Sequence, residues 1–179
     1  MSGYDGERQG LVPLDREELA EPPEEIRRFV LFQAGDEWFG LPIASVREIQ
    51  PLPRVTRVPN APGEVLGILN LRGRILTLFD LVRCLGIPPG TRPITHAVVL
   101  DFGDPDLQIG FAVQHIAQVQ GLSPSAIEPA SPREGGPSGV EGVCEVGGQV
   151  VSLLDPARVF ARSLAEWGVT VEVLGPGGR

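Results

Sequence analysis

Two stretches of this chain carry the same glycines and the same aspartate-then-helix signal 75 residues apart. Gly67, Gly73, Leu78, Asp80 and Arg83 fall on Gly142, Gly148, Leu153, Asp155 and Arg158, with Ile68, Ile75 and Leu76 over Val143, Val150 and Val151. Nearer the start the offset is 70, which places Gly40 on Gly110, Leu41 on Phe111 and Ile49 on Val119. Self-similarity in register is the signature of an internal duplication, so the chain must build one small unit twice.

The unit is read from the punctuation. With 23 glycines and 18 prolines among 179 residues, the chain is broken too often for long helices, yet apolar runs persist between the breaks. Phe29 to Phe32 and Trp38 to Leu41 flank Gln33 to Glu37, where Gly35-Asp36 suits a hairpin turn. Val65 to Leu71 and Ile75 to Phe79 flank Gly73; Val98 to Phe102 and Leu107 to Val113 flank residues 103–106; Val140 to Val146 and Val150 to Leu154 flank Gly147-Gly148. Arg54 to Val58 alternates as a half-buried strand does, and Ile116 to Leu122 is a further strand candidate. Ile43, Val46 and Ile49 recur at helical spacing, which predicts a helix limited to about two turns by Pro51 and Pro53. Short helices are expected at Asp80 to Leu85, stopped by Gly86, and from Asp155 to about Trp167.

The expected class is therefore all-β: two lobes of about five strands each, closed enough to hide their edges, with short helices. A hydrophobic content of 42% with only 6% aromatics means a core of Val, Leu and Ile, which agrees. The expected organisation is a mostly disordered acidic extension over 1–26, a first lobe over 27–88, a second over 92–164 and a tail over 165–179. Whether strands exchange between the lobes is not legible.

Charge and composition narrow the function. A net charge of −8 argues against nucleic acid as a partner. All basic residues are arginine, so a Schiff-base lysine and the lysine of a phosphate-cradling loop are excluded. The start of the chain lacks a basic-then-apolar leader and no run is long enough to cross a bilayer, so the expected compartment is the cytoplasm, without membrane insertion. Cys84 and Cys144, far apart and without metal-type neighbours, fit buried free thiols. His96 and His115 stand outside any zinc or acid-base arrangement, and neither a nucleophile elbow nor a dinucleotide-binding fingerprint is present. Asp101, Asp104 and Asp106 superficially resemble a calcium loop, but a hairpin turn has its own conformational use for them. No catalytic residue, metal site or cofactor is expected.

One local rule is broken at Arg72-Gly73. The second half carries Gly147-Gly148 there, and two-residue hairpin turns often need φ above zero at both positions, which arginine resists. Either the guanidinium is presented for a partner carboxylate or carbonyl, or a longer turn tolerates it.

The stretch Val65-Leu66-Gly67-Ile68-Leu69-Asn70-Leu71-Arg72-Gly73-Arg74-Ile75-Leu76-Thr77-Leu78-Phe79-Asp80-Leu81 resembles the Asn-Leu-Arg-Gly centre of the CheW family. Residues 36–41, Val46-Arg47-Glu48-Ile49, Gly110-Phe111-Ala112-Val113 and Leu153-Leu154-Asp155 resemble the family in order and spacing, so coverage runs from about Arg28 to Leu164. The resemblance implies two SH3-like five-stranded barrels on a common apolar core and a scaffold without chemistry. It implies a non-enzymatic adaptor that couples the helical cytoplasmic tips of chemoreceptors to the regulatory domain of a CheA-type histidine kinase. Receptor-facing residues carried over by motif are Val46, Glu48, Ile49, Asn70, Arg72 and Gly73. Val46 and Ile49 would line a groove between lobes and Glu48 and Arg72 its rim; the alternative for the two apolar residues is that they fill the first barrel. Kinase-facing candidates are Val55, Thr56 and Val58 with Gly110, Phe111 and Val113. Thr77, Val82 and Gln114 depart from the residues usual in the family at those points. A coupler of a twitching, gliding or other chemosensory-like pathway, and a small-ligand-binding barrel, are the competing expectations.

Overall fold

The computed structural model describes residues 25–131 and 139–166. The expected acidic extension, apart from its last two residues, lies outside them, as do the middle of the Ser123 to Gly139 loop and the tail.

Strands β1 (Arg27–Ala34) and β2 (Glu37–Pro42) form a hairpin about Gly35-Asp36 and are followed by a single 3₁₀ turn, Ile43–Ser45. Next come β3 (Val46–Pro51), β4 (Val65–Leu71), β5 (Arg74–Asp80) and helix α1 (Leu81–Leu85). The second half supplies β6 (His96–Leu100), β7 (Ile109–Val113), β8 (His115–Leu122), β9 (Glu128–Pro129), β10 (Val140–Val146), β11 (Gln149–Leu154) and α2 (Pro156–Glu166). The short helices start for the same local reason. Asp80 Oδ1 accepts from Val82 N at 3.1 Å and Asp155 Oδ1 from Ala157 N at 3.0 Å, each satisfying an otherwise orphaned first-turn N–H. Gly86, at φ 68°, ends α1 in the left-handed conformation that closes a helix.

These strands make a six-stranded sheet, β8-β1-β2-β11-β10-β9, and a five-stranded one, β3-β6-β7-β5-β4. The duplication is visible in the register. In β4–β5 and β10–β11 the ladder slips at the same place, between Val65 and Gly67 and between Val140 and Gly142. Each sheet then folds back on itself. Residues beyond β3 return to β4, where Thr56 and Ile68 exchange two 2.8 Å hydrogen bonds, and residues beyond β8 return as β9 to pair with β10. Such closure leaves no long open edge, which is the SH3-like arrangement.

The boundaries 27–88 and 92–164 do not separate the sheets. The β1–β2 hairpin, from the first half, sits beside β8 and β11, while β6–β7 sits beside β3 and β5. In both sheets the exchange uses one parallel seam, β2 along β11 and β7 along β5, with Gly40 beside Leu153 and Gly110 beside Leu78. The two seams use the same register in both halves, and exchange of hairpins is a low-cost way to join two repeats.

Three apolar clusters follow. Phe29, Leu31, Cys144, Val151 and Leu153 fill the barrel of the first sheet, and Leu69, Leu76, Leu78, Ala97 and Val99 that of the second. The largest draws on both sheets and both helices, including Phe32, Phe39, Phe79, Val98, Phe111, Leu154 and Phe160. This shared core is what makes the two barrels one body.

Candidate functional site

The predicted helix at Ile43 to Ile49 is, after one 3₁₀ turn, strand β3. Helical spacing nevertheless placed Val46 and Ile49 together for a reason the pattern does not show. A bulge at Arg47 lets Val46 pair with Leu100, Glu48 with Val99 and Ile49 with Val98. An extra residue in a strand shifts the following side chains to the other face, and Leu100 and Val98 both belong to the shared core. Val46 therefore packs against that core, and Ile49 follows it on the same face but is 37% exposed. Glu48 and Gln50 pair with Val99 and Ala97, residues of the barrel interior.

The duplicate geometry recurs on β8. Ile116 pairs with Phe32, the register slips, and Val119 pairs with Val30, leaving Val119 53% exposed as the counterpart of Ile49. Ile75 and Val150, counterparts at the hairpin tips, are 60% and 66% exposed. By strand alternation Ile75 shares its face with Phe79, and Val150 shares its face with Leu154, both in the shared core. Ile49, Ile75, Val119 and Val150 are thus uncovered apolar side chains on strands that contribute to or pair with the shared core. Sequence reasoning named only Ile49; the 75-residue match of Ile75 with Val150 beside each turn was the signal for two more.

The tip between β4 and β5 has just two residues, Arg72 at φ 52° and Gly73 at φ 83°, matched by Gly147 at 59° and Gly148 at 79°. A longer turn is ruled out, and arginine occupies a left-handed position that its duplicate gives to glycine. Asn70 Oδ1 accepts from Gly73 N at 2.8 Å and braces the turn. The Arg72 guanidinium reaches Glu48 Oε2 at 3.1 Å with the arginine side chain 80% exposed. Glu48 and Arg72, expected side by side at a rim, are thus an ion pair joining β3 to the turn. Among the described residues, buried Glu48 Oε1 has no hydrogen-bond donor and buried Gln50 Nε2 no acceptor.

Gly73→Val is expected to lose about 1–3 kcal/mol, because a branched residue resists this φ. Space is not the cause, since a Cβ at Gly73 would meet nothing within 4 Å. Denaturant unfolding checks the figure, and an unaltered midpoint would contradict it.

The kinase-facing candidates divide. Thr56 is exposed and Val58 half-buried, so these present surface, while half-buried Val55 packs against the barrel interior. Gly110, Phe111 and Val113 present none: β7 is central in its sheet and every residue in it is buried. A Cβ on Gly110 would sit 2.8 Å from the Val98 carbonyl oxygen, and Phe111 stacks on Phe160 at 4.5 Å. These three are core and present no surface to a partner. The expected strand at Arg54 to Val58 is reduced to the single bridge at Thr56.

Other expectations resolve locally. The aspartates of the presumed calcium-like loop bond their own backbone, Asp101 accepting from Gly103 N at 2.9 Å and Asp104 from Asp106 N at 2.8 Å. The Gly103 amide, aided by Arg47, holds the Asp101 carboxyl below its usual range against the opposing cost of burial. Arg47 and Arg74 also donate to the carbonyls of Asp104 and Pro105, so the loop is clasped by arginines from β3 and β5. Among the described residues no group of three or more His, Cys, Asp or Glu is arranged to hold a metal ion. Cys84, half-buried, and Cys144, buried, are not in a disulfide among the described residues, and burial pushes the Cys144 thiol up, away from thiolate chemistry. Gln114 is buried and accepts from Gly35 N at 3.1 Å, so it ties the β1–β2 turn to the end of β7.

A model of the CheW-like domain matches residues 28–164. The chain belongs to the CheW-like family. Chemotaxis protein CheW of Rhizobium meliloti is 30% identical over 138 residues, which is 75% of this chain and 87% of that one. The probable chemotaxis protein CheW of Rhizobium etli is 36% identical over 74 residues, covering 41% of this chain and about half (48%) of that one. The crystal structure of the scaffolding protein TtCheW from Thermoanaerobacter tengcongensis superposes with a TM-score of 0.67 at 24% identity, over 76% of this chain and 93% of that chain. That likeness fixes the fold: two SH3-like lobes, as the CheW-like sequence implies.

Proposed function

We propose that the chain is a non-enzymatic cytoplasmic adaptor that couples chemoreceptor cytoplasmic tips to the regulatory domain of a CheA-type histidine kinase. The observation that carries this reading is the uncovered apolar side chain of Ile49 beside the Glu48–Arg72 pair. A helical receptor tip offers apolar residues at i, i+3 and i+4 for such a face and polar residues for its rim. Arg72 presents a planar donor fork at a tip where glycine would be conformationally easier, and the buried free oxygen of Glu48 is an acceptor awaiting a donor. Family membership supports an adaptor over a catalyst. No helix of the described residues is long and apolar enough to cross a membrane. The kinase domain is assigned to the other exposed surface of the five-stranded barrel, at Thr56 and Val58.

Two substitutions test the receptor surface by calorimetry with a receptor tip fragment. Arg72→Ala is expected to weaken binding by about 1–2 kcal/mol, as loss of a central arginine contact does, with the fold intact. Ile49→Asp is expected to cost more, about 2 kcal/mol or above, because a charge then faces an apolar helix surface. Unchanged affinity in both would remove this face from the receptor site.

A further inference from the structure

A cleft of about 210 Å³ opens between the 57–66 segment and the start of α1, walled by Val58, Pro62, Val65 and Leu66. Arg57 and Arg83 stand at its rim. Arg83 is held there, donating to the Gly63 carbonyl at 2.8 Å and pairing with Asp80 at 3.4 Å. Arg57 and its neighbour Arg54 are exposed. The fold does not require them. Where the duplicate segment closes the other barrel, it brings Glu128 to β10 in the position that Thr56 takes on β4, and residues 126–131 contain no arginine. Arg83 has its counterpart in Arg158, which pairs with Asp155 in the same way, but Arg54 and Arg57 have none, so that part of the basic rim is peculiar to one lobe.

The complementary sequence lies in the same chain. Residues 1–24 contain seven acidic and two basic residues, which is −5 of the total charge of −8. Within them Leu11-Val12-Pro13-Leu14 is directly followed by Asp15, Glu17 and Glu18. We propose that this segment docks in the cleft of its own chain, Leu11 to Leu14 against Val58, Pro62 and Leu66, with Glu17 and Glu18 toward Arg57 and Arg54. The tether suffices. From residue 14 to residue 25 the chain reaches up to about 36 Å, against a radius of gyration of about 14 Å for a folded body of this size. Tethering supplies an effective concentration of roughly millimolar order, enough for a small apolar contact with exposed ion pairs that would be weak between separate molecules.

Hydrogen exchange on the 179-residue chain tests it. The amides of Ala61 and Val65, bonded to the Val58 and Pro62 carbonyls, report on the cleft wall. Leu11→Ser with Leu14→Ser should speed their exchange by about 3- to 10-fold, as expected when a locally protecting contact is lost. Arg57→Glu should do the same, and adding Glu17→Arg with Glu18→Arg should restore the slow rate. That rescue separates docking from any folding defect of Arg57→Glu. Rates unmoved by the leucine substitutions would overturn the proposal. So would protection that grows with protein concentration, which would place a second copy in the cleft.

Discussion

Phe160→Ala should destabilise the protein by about 3–5 kcal/mol, the usual cost of truncating a buried phenylalanine. Phe160 is fully buried, stacks on Phe111 at 4.5 Å with rings 9° from parallel, and meets Phe79 and Phe102 edge-on at 4.8 and 5.9 Å. These four rings belong to the core shared by both sheets, so removing one leaves a cavity where the barrels join. A chain of this size commonly has only about 5–15 kcal/mol in hand, and its melting temperature should fall by roughly 10 °C or more. Phe160→Leu, which keeps most of the volume, should cost much less. If calorimetric melting of Phe160→Ala matched the parent, α2 would be an appendage and the two barrels would be joined by something else.

Gly67→Val should lose at least about 3 kcal/mol, by strain at a glycine-only φ together with two broken hydrogen bonds. Gly67 has φ 151°, and a Cβ there would stand 2.4 Å from the Thr56 carbonyl oxygen and 2.7 Å from Val55 Cγ1. The Thr56–Ile68 pair that closes the barrel would be forced open, and with it the surface carrying Thr56 and Val58. At the duplicate site the nearest atom to a Cβ on Gly142 is Ile127 Cγ2 at 2.7 Å, with the Glu128 carbonyl oxygen at 3.1 Å. A side-chain end yields more easily than backbone, so Gly142→Val should be the milder of the two. Unfolding curves of both variants, with exchange at the Thr56 and Ile68 amides, check the ranking. Equal losses would show that the two closures are mechanically alike.

Local chemistry was legible and long-range pairing was not. The hairpins at Gly35-Asp36, Gly73 and Gly147-Gly148 and the caps at Asp80 and Asp155 follow from φ preferences and side-chain acceptors within a few residues. The exchange of hairpins is decided by two seams built in the same register, so no residue marks it in advance. The bulge at Arg47 imitated a helical period, because one extra residue brings the side chain three positions on, not two, back to the same face. Burial of Gly110, Phe111 and Val113 was readable after all: Ile109 to Val113 is an unbroken apolar run, the mark of a central strand covered on both faces. At the candidate site the sequence singled out Arg72 and Glu48 but not that they bind each other, since the pair spans two strands that do not neighbour one another in the sheet.

Simultaneous binding of two partners is the property that makes a coupler. Analytical ultracentrifugation of this chain with a receptor tip fragment and a CheA-type regulatory domain should give one complex containing all three. Ile49→Asp should expel only the receptor fragment and Val58→Asp only the kinase domain. Mutually exclusive binding, or no complex with either, would contradict the assignment of this chain as a bridge.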